Sequence, residues 1–116
     1  MADRYNISID QGATFSLVVT WKDSLDTPVN LTGYTARMQA RQEYTSPNPP
    51  LFSLTSPIGG IVINAAQGQV AVTIEAQETT NFAAGKYVYD LEIVSGAGVV
   101  TRLIEGRCVV NPEVTK

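Results

Sequence analysis

Asp90 and Glu92 stand two positions apart in Tyr87-Val-Tyr-Asp-Leu-Glu-Ile-Val94, and a pair of carboxylates is the first feature of this sequence that could do chemistry. Glycoside hydrolysis uses two carboxyl groups held about 5 to 9.5 Å apart across a cleft, and two positions along an extended strand separate side chains by about 7 Å. The alternation of Tyr87, Tyr89, Leu91 and Ile93 with Val88, Asp90, Glu92 and Val94 turns both acids away from the aromatic row. On that outer face water is expected to keep them ionised. A cross-strand charge ladder with Arg37, Arg41 and Arg102 accounts for them without catalysis, at about 0.2–1 kcal/mol per pair, and also blocks register slips. If a small hydrolase were built on these acids, Asp90→Asn/Glu92→Gln would abolish activity; if they form a ladder, the change touches stability alone.

Other chemistries find fewer supports. The sequence holds no histidine, which removes imidazole acid–base catalysis and the usual triads. Cys108 is the single cysteine, so it forms no internal bridge and, without histidines, nucleates no zinc site; its expected role is a small apolar core residue. Asp23 and Asp26 lack the ligand spacing of a calcium loop and read as turn residues in Lys22-Asp-Ser-Leu-Asp-Thr-Pro28. Gly59-Gly60 and Gly96-Ala-Gly98 lack the following helix and lysine of a phosphate cradle and read as turns between strands.

Aromatic residues could instead form a sugar-stacking platform. Trp21 shares its alternation with Phe15, Leu17 and Val19, which assigns it to the core. Tyr44 sits among polar residues beside a proline-rich loop and is the better exposed aromatic. Tyr44, Pro47, Pro49, Pro50 and Leu51 together make a candidate contact loop, against the alternative of a simple connection.

Period-two alternation recurs from end to end and is the signature of strands. It predicts strands over Tyr5 to Ile9, Phe15 to Lys22, Tyr34 to Arg41, Leu51 to Thr55, Ile61 to Asn64, Gln69 to Ile74, Tyr87 to Val94 and Val99 to Val110. Gln11-Gly12 breaks the first run, residues 42–50 with three prolines form an exposed loop, and Ser95 to Gly98 a hairpin loop. Ala76 to Phe82 tolerates one or two helical turns, ended by Gly85 in a left-handed conformation, and Gly106 reads as a bulge. Such short, evenly spaced strands predict an all-β fold: a two-sheet antiparallel immunoglobulin-like β-sandwich of about 7–8 strands with at most one short helical turn. The expected core comprises Phe15, Leu17, Val19, Trp21, Ala36, Met38, Ile61, Ile63, Val70, Val72, Ile74, Tyr87, Tyr89, Leu91, Ile93 and Leu103.

At 116 residues the chain reads as one domain over 1–116, with short flexible ends near 1–4 and 112–116. A net charge of −3 leaves no basic footprint for nucleic acid. No apolar run approaches the roughly 18 residues of a membrane helix, and the start, Met-Ala-Asp-Arg-Tyr, has no apolar targeting segment. Synthesis in the cytoplasm, no nucleic acid, no membrane, no small-molecule substrate and no cofactor are the expectations.

Asn30-Leu-Thr-Gly-Tyr-Thr-Ala-Arg-Met-Gln-Ala-Arg41 resembles a segment of small tailed-bacteriophage structural proteins. Gly85-Lys-Tyr-Val-Tyr-Asp-Leu-Glu-Ile-Val-Ser95, Thr101-Arg-Leu-Ile-Glu-Gly-Arg107 and Asn111-Pro-Glu-Val-Thr115 resemble their closing half, and the general plan is similar to the N-terminal domain of phage baseplate upper proteins. The Leu31 to Gln39 run is the sharper part; a Gly-x-Tyr before a strand and a hairpin after it recur in any immunoglobulin-like sandwich. The resemblance implies a non-enzymatic virion component of the tail, baseplate, neck or collar. It implies contacts with other virion proteins and with copies of itself, in a symmetric homo-oligomer. The receptor-facing portion of baseplate upper proteins has no counterpart here, so joining scaffolds is expected rather than receptor binding. The segment Tyr5, Ile7 and Ile9, next to a chain end, and the tail Asn111 to Lys116 are the candidate exposed strands. Tyr5 to Ile9 is expected to add to a neighbouring subunit's sheet, so that deleting residues 1–9 would stop assembly and leave a folded monomer. A carbohydrate-binding or host-surface-binding module is the rival reading.

Overall fold

A computed structural model describes residues 3–45 and 47–115 of the chain. Its strands are β1 (Asp3–Arg4), β2 (Ile7–Asp10), β3 (Phe15–Thr20), β4 (Thr35–Arg41), β5 (Phe52–Thr55), β6 (Ile61–Asn64), β7 (Gln69–Ile74), β8 (Gly85–Val94) and β9 (Val100–Asn111). The one helical turn, α1 (Ala76–Thr79), and a 3₁₀ turn at Ala65–Gln67 complete the elements. The larger sheet runs β1-β9-β8-β4-β5, with β2 continuing β1 along β9; the smaller runs β3-β7-β6. This is an all-β sandwich, and its strand order matches the arrangement of an immunoglobulin-like sandwich in one sheet and most of the other. The exception is the first strand. β1 and β2 lie parallel to β9, whereas every other strand pairing among the described residues is antiparallel.

Alternation in the sequence becomes alternation in burial. In β8, Tyr87, Tyr89, Leu91 and Ile93 are buried while the residues between them are half-buried on the outer face. β4 does the same with Ala36, Met38 and Ala40. Between the sheets these residues meet Ile61, Val70, Val72 and Ile74 of the smaller sheet. Tyr87 closes the corner before β8, donating from its hydroxyl to the carbonyl of Ala83 at 2.7 Å, the tyrosine-corner device of such sandwiches. The buried Thr79 hydroxyl of α1 donates to Ala13 O at 2.8 Å, tying that corner to the turn before β3.

Several expectations need correction. Phe15, Leu17, Val19, Trp21 and Ile63 are only half-buried against the core, because β3 is an edge strand and β6 the opposite edge. The core instead draws on Ile7, Ile9, Leu31, Phe52, Leu54, Phe82, Ile104, Cys108 and Val110 as well. Gly85 does not cap α1. The helix ends at Thr79, with Thr80 still right-handed, and Gly85 opens β8. Of the ends expected to be loose, Met1, Ala2 and Lys116 lie outside the described residues, while Arg4 pairs with Glu105 and the Glu113 amide donates to the Gln11 side chain at 3.0 Å.

The bulge of the last strand also sits elsewhere. The β8–β9 register passes from Leu91↔Ile104 to Glu92↔Arg102, so Leu103 is the extra residue, and Leu103 and Ile104 are both buried. Gly106 serves close approach instead: a Cβ there would lie 2.5 Å from the carbonyl oxygen of Tyr5. Opposite Gly106, the first strand breaks. The Tyr5 amide donates to Glu105 O at 2.8 Å, as a parallel ladder requires, but the next donor, the Arg107 amide, goes to the side-chain oxygen of Asn6 at 3.0 Å. The Tyr5 carbonyl, thereby released from the ladder, accepts the hydroxyl of Tyr89.

Candidate interaction surfaces

The outer face of the larger sheet gathers the acids and arginines. Arg37 pairs with Glu92 at 2.9 Å, and Arg102 reaches Asp90 and Glu92 at 3.6 Å each and Glu105 at 3.1 Å. Glu105 was not legible as a member, because residues three apart in a regular strand face opposite ways; the bulge at Leu103 brings Arg102 and Glu105 to one face. Arg41 is not part of the ladder. It donates to Asn48 O at 3.0 Å and to the Gln39 side-chain oxygen at 3.1 Å, bracing the loop after β4.

Water does not keep Asp90 ordinary. Desolvation pushes its carboxyl above the usual range, with repulsion from Glu92 and Glu105 adding to the shift and Arg102 and Arg37 only partly opposing it. A raised carboxyl beside an ion-paired one is a grammar that acid catalysis uses, but here each acid is already engaged by a guanidinium on an open sheet face. Cross-strand pairs of this kind contribute about 0.2–1 kcal/mol each to the sheet.

The loop candidates divide. Tyr44 is 67% exposed, and Pro47 and Pro49 are exposed, whereas Pro50 and Leu51 are half-buried. Leu51 donates its amide to Ala40 O at 2.7 Å and packs against the core, so it anchors the loop rather than forming its contact surface. Between Tyr44 and the sheet lies a hollow of about 120 Å³ lined by Gln39, Arg41, Val88 and Asp90. Sites for drug-sized ligands run to about 300–1,000 Å³, so the hollow admits at most a small polar group. Trp21 is not a platform: it is half-buried and meets Tyr34 edge-on, with ring centroids 6.3 Å apart.

The first strand is corrected most. Tyr5 is 51% exposed, but Ile7 and Ile9 are core residues and the segment pairs with the chain's own β9. Their side chains are not a free surface, and removing residues 1–9 would open the core instead of leaving an intact monomer.

The strand predicted from Phe15 is present, but its place at an open edge was not foreseen. Because the first strand lies on β9, no described strand occupies the outer side of β3, whose only partner is β7. Phe15, Leu17 and Val19 are consequently half-buried, and Val18, on the outer face, is 59% exposed. Among the described residues Asp23 is spent on its turn, its carboxylate accepting the amides of Leu25 and Thr27 at 2.9 and 3.0 Å.

Compared with protein-family models and with curated proteins, the chain matches none.

Proposed function

We propose that the chain is a non-enzymatic structural component of a tailed-phage virion, belonging to the tail, baseplate, neck or collar and working through protein–protein contacts after synthesis in the bacterial cytoplasm. The observation that carries this reading is the unprotected edge of β3, an uncharged strand with a half-open apolar row, which is a surface built for pairing with another chain. The resembling segments supply the virion context. They fall on β4, β8 and β9, three neighbouring strands of one sheet, with Leu31, Ala36 and Met38 of the sharpest run buried. Scaffold joining fits a module whose outer-sheet acids are each paired within the chain and which leaves Val18 exposed on an open edge strand. Deleting the gene from the phage that carries it should arrest particle assembly at an intermediate visible by electron microscopy. Normal, infectious particles without the chain would refute the reading.

A second reading is favoured by one observation, the exposed Tyr44 beside Gln39, Arg41 and Asp90. The exposed Tyr44 face can stack on a sugar ring that stays outside the hollow, with only one of its hydroxyls reaching in. Trp21 lies elsewhere, so its fluorescence would not report binding; chemical shifts of the Tyr44 ring during titration with oligosaccharides would. Shifts confined to Tyr44 and its neighbours would favour the module, and no shift at millimolar sugar would dismiss it.

A further inference from the structure

Edge strands of folded proteins are usually blunted by charges, prolines, bulges or brevity. Three edges of this sandwich follow that rule. The first strand is interrupted after Arg4 and carries Asp3, Arg4 and Asp10; β5 has four residues set between Pro50 and Pro57; β6 has four residues. β3 does not. Phe15-Ser-Leu-Val-Val-Thr20 is six residues without charge, proline or glycine, paired to β7 in unbroken register from Phe15↔Ile74 to Thr20↔Gln69. On its free side a groove of about 600 Å³ separates it from Asp3, Arg4 and Tyr5.

We propose that β3 pairs antiparallel with β3 of a second copy of this chain about a two-fold axis at Val18, joining the two small sheets into one of six strands. Charge and pattern select this occupant. The groove wall holds one acid and one base, Asp3 and Arg4, and so presents no net charge to the uncharged strand that enters. In an isologous pairing each residue meets a residue of the same face. With Val18 opposite Val18, Leu17 meets Val19, Phe15 meets Trp21 and Ser16 meets Thr20, so apolar pairs complete the half-buried inner row and hydroxyls share the outer one. The first charged residue beyond, Lys22, falls opposite Thr14 and meets no like charge. Outside, Val18 lies across Ala71 from Val62, so the apolar row already present on the small sheet continues into the second copy. The proposal rests on the sheet edge and not on virion membership, and a chain absent from particles would leave it standing.

Sedimentation velocity of the full chain over a wide concentration range should show reversible association to twice the monomer mass. Val18→Lys, at a position already exposed, places like charges face to face at the axis and should weaken association at least about tenfold with an unchanged melting curve. Val18→Cys should give a disulfide-linked dimer on mild oxidation. Val62→Cys, 61% exposed on the same face but on the opposite edge, should not. The cysteine pair decides the matter even if the lysine variant folds poorly. A chain that stays monomeric throughout, a dimer indifferent to Val18→Lys, or equal cross-linking through Val62→Cys would overturn the proposal.

Discussion

The hydroxyl of Tyr89 on β8 donates to the main-chain carbonyl of Tyr5, reaching past Gly106 to a strand on the far side of β9. Three strands are locked at one point, and the first strand is held to this sheet rather than to β3. Asn6 makes the lock possible by supplying the acceptor that the Arg107 amide would otherwise find in Tyr5. Tyr89→Phe removes the donor and leaves a carbonyl in the sandwich without a partner. The expected loss is about 1–3 kcal/mol in chemical denaturation, with faster amide exchange over Ile7 to Asp10 and little change elsewhere. Uniformly faster exchange would mean that Tyr89 supports the whole fold instead of the first strand.

Glycine positions give a sharper contrast. Gly106→Ala forces a Cβ against Tyr5 O and should destabilise by about 2 kcal/mol or more through displacement of the first strand. Gly33 has φ +84 with open space around it, so Gly33→Ala should cost only the left-handed backbone penalty, about 1 kcal/mol. Equal losses in urea melts of the two variants would contradict the close-approach role of Gly106.

Asp90 predicts an inverted response to pH. Its carboxyl is raised in the folded chain, so the folded state binds the proton more tightly. That contribution to stability is full below the unfolded pKa and is lost as pH rises through the folded one. Asp90→Asn should therefore leave stability at neutral pH unchanged or improved, despite its ion pair with Arg102, and should flatten this part of the acid profile. A marked loss of stability at pH 7 would show that the Arg102 pair outweighs desolvation.

At the alkaline end the buried Cys108 thiol is pushed up to about 12 by desolvation, and the Tyr87 and Tyr89 phenols are also raised. Each shift favours the neutral form in the folded chain, so stability should fall as pH rises from about 9 towards 12. Below that window Cys108 should resist thiol reagents until the chain unfolds, and rapid labelling of native protein at pH 8 would contradict its place in the core.

Much of the fold was legible because the signal was local. Alternation in Ala36 to Ala40 and Tyr87 to Ile93 depends only on the pleat, and the structure buries those rows. The bulge at Leu103 was not legible, since Leu103-Ile104 breaks the alternation without a glycine to mark it, and with it went the membership of Glu105 in the ion-pair network. Nor could local pattern say which sheet Ile7 and Ile9 would join. That choice depends on Gly106 and Tyr89, a hundred and some eighty residues away, and it decides that β3 rather than the first strand is the open edge. Leu31 and Phe82 were missed because they enter the core from turns, where no period applies.

The measurement closest to the proposed virion role is quantitative mass spectrometry of phage particles purified from the source of this sequence, scaled to the major capsid protein. A fixed ratio corresponding to a small multiple of three, five, six or twelve copies is the predicted result, as expected of a symmetric structural part. Absence from particles while the chain is abundant in infected cells would contradict the claim.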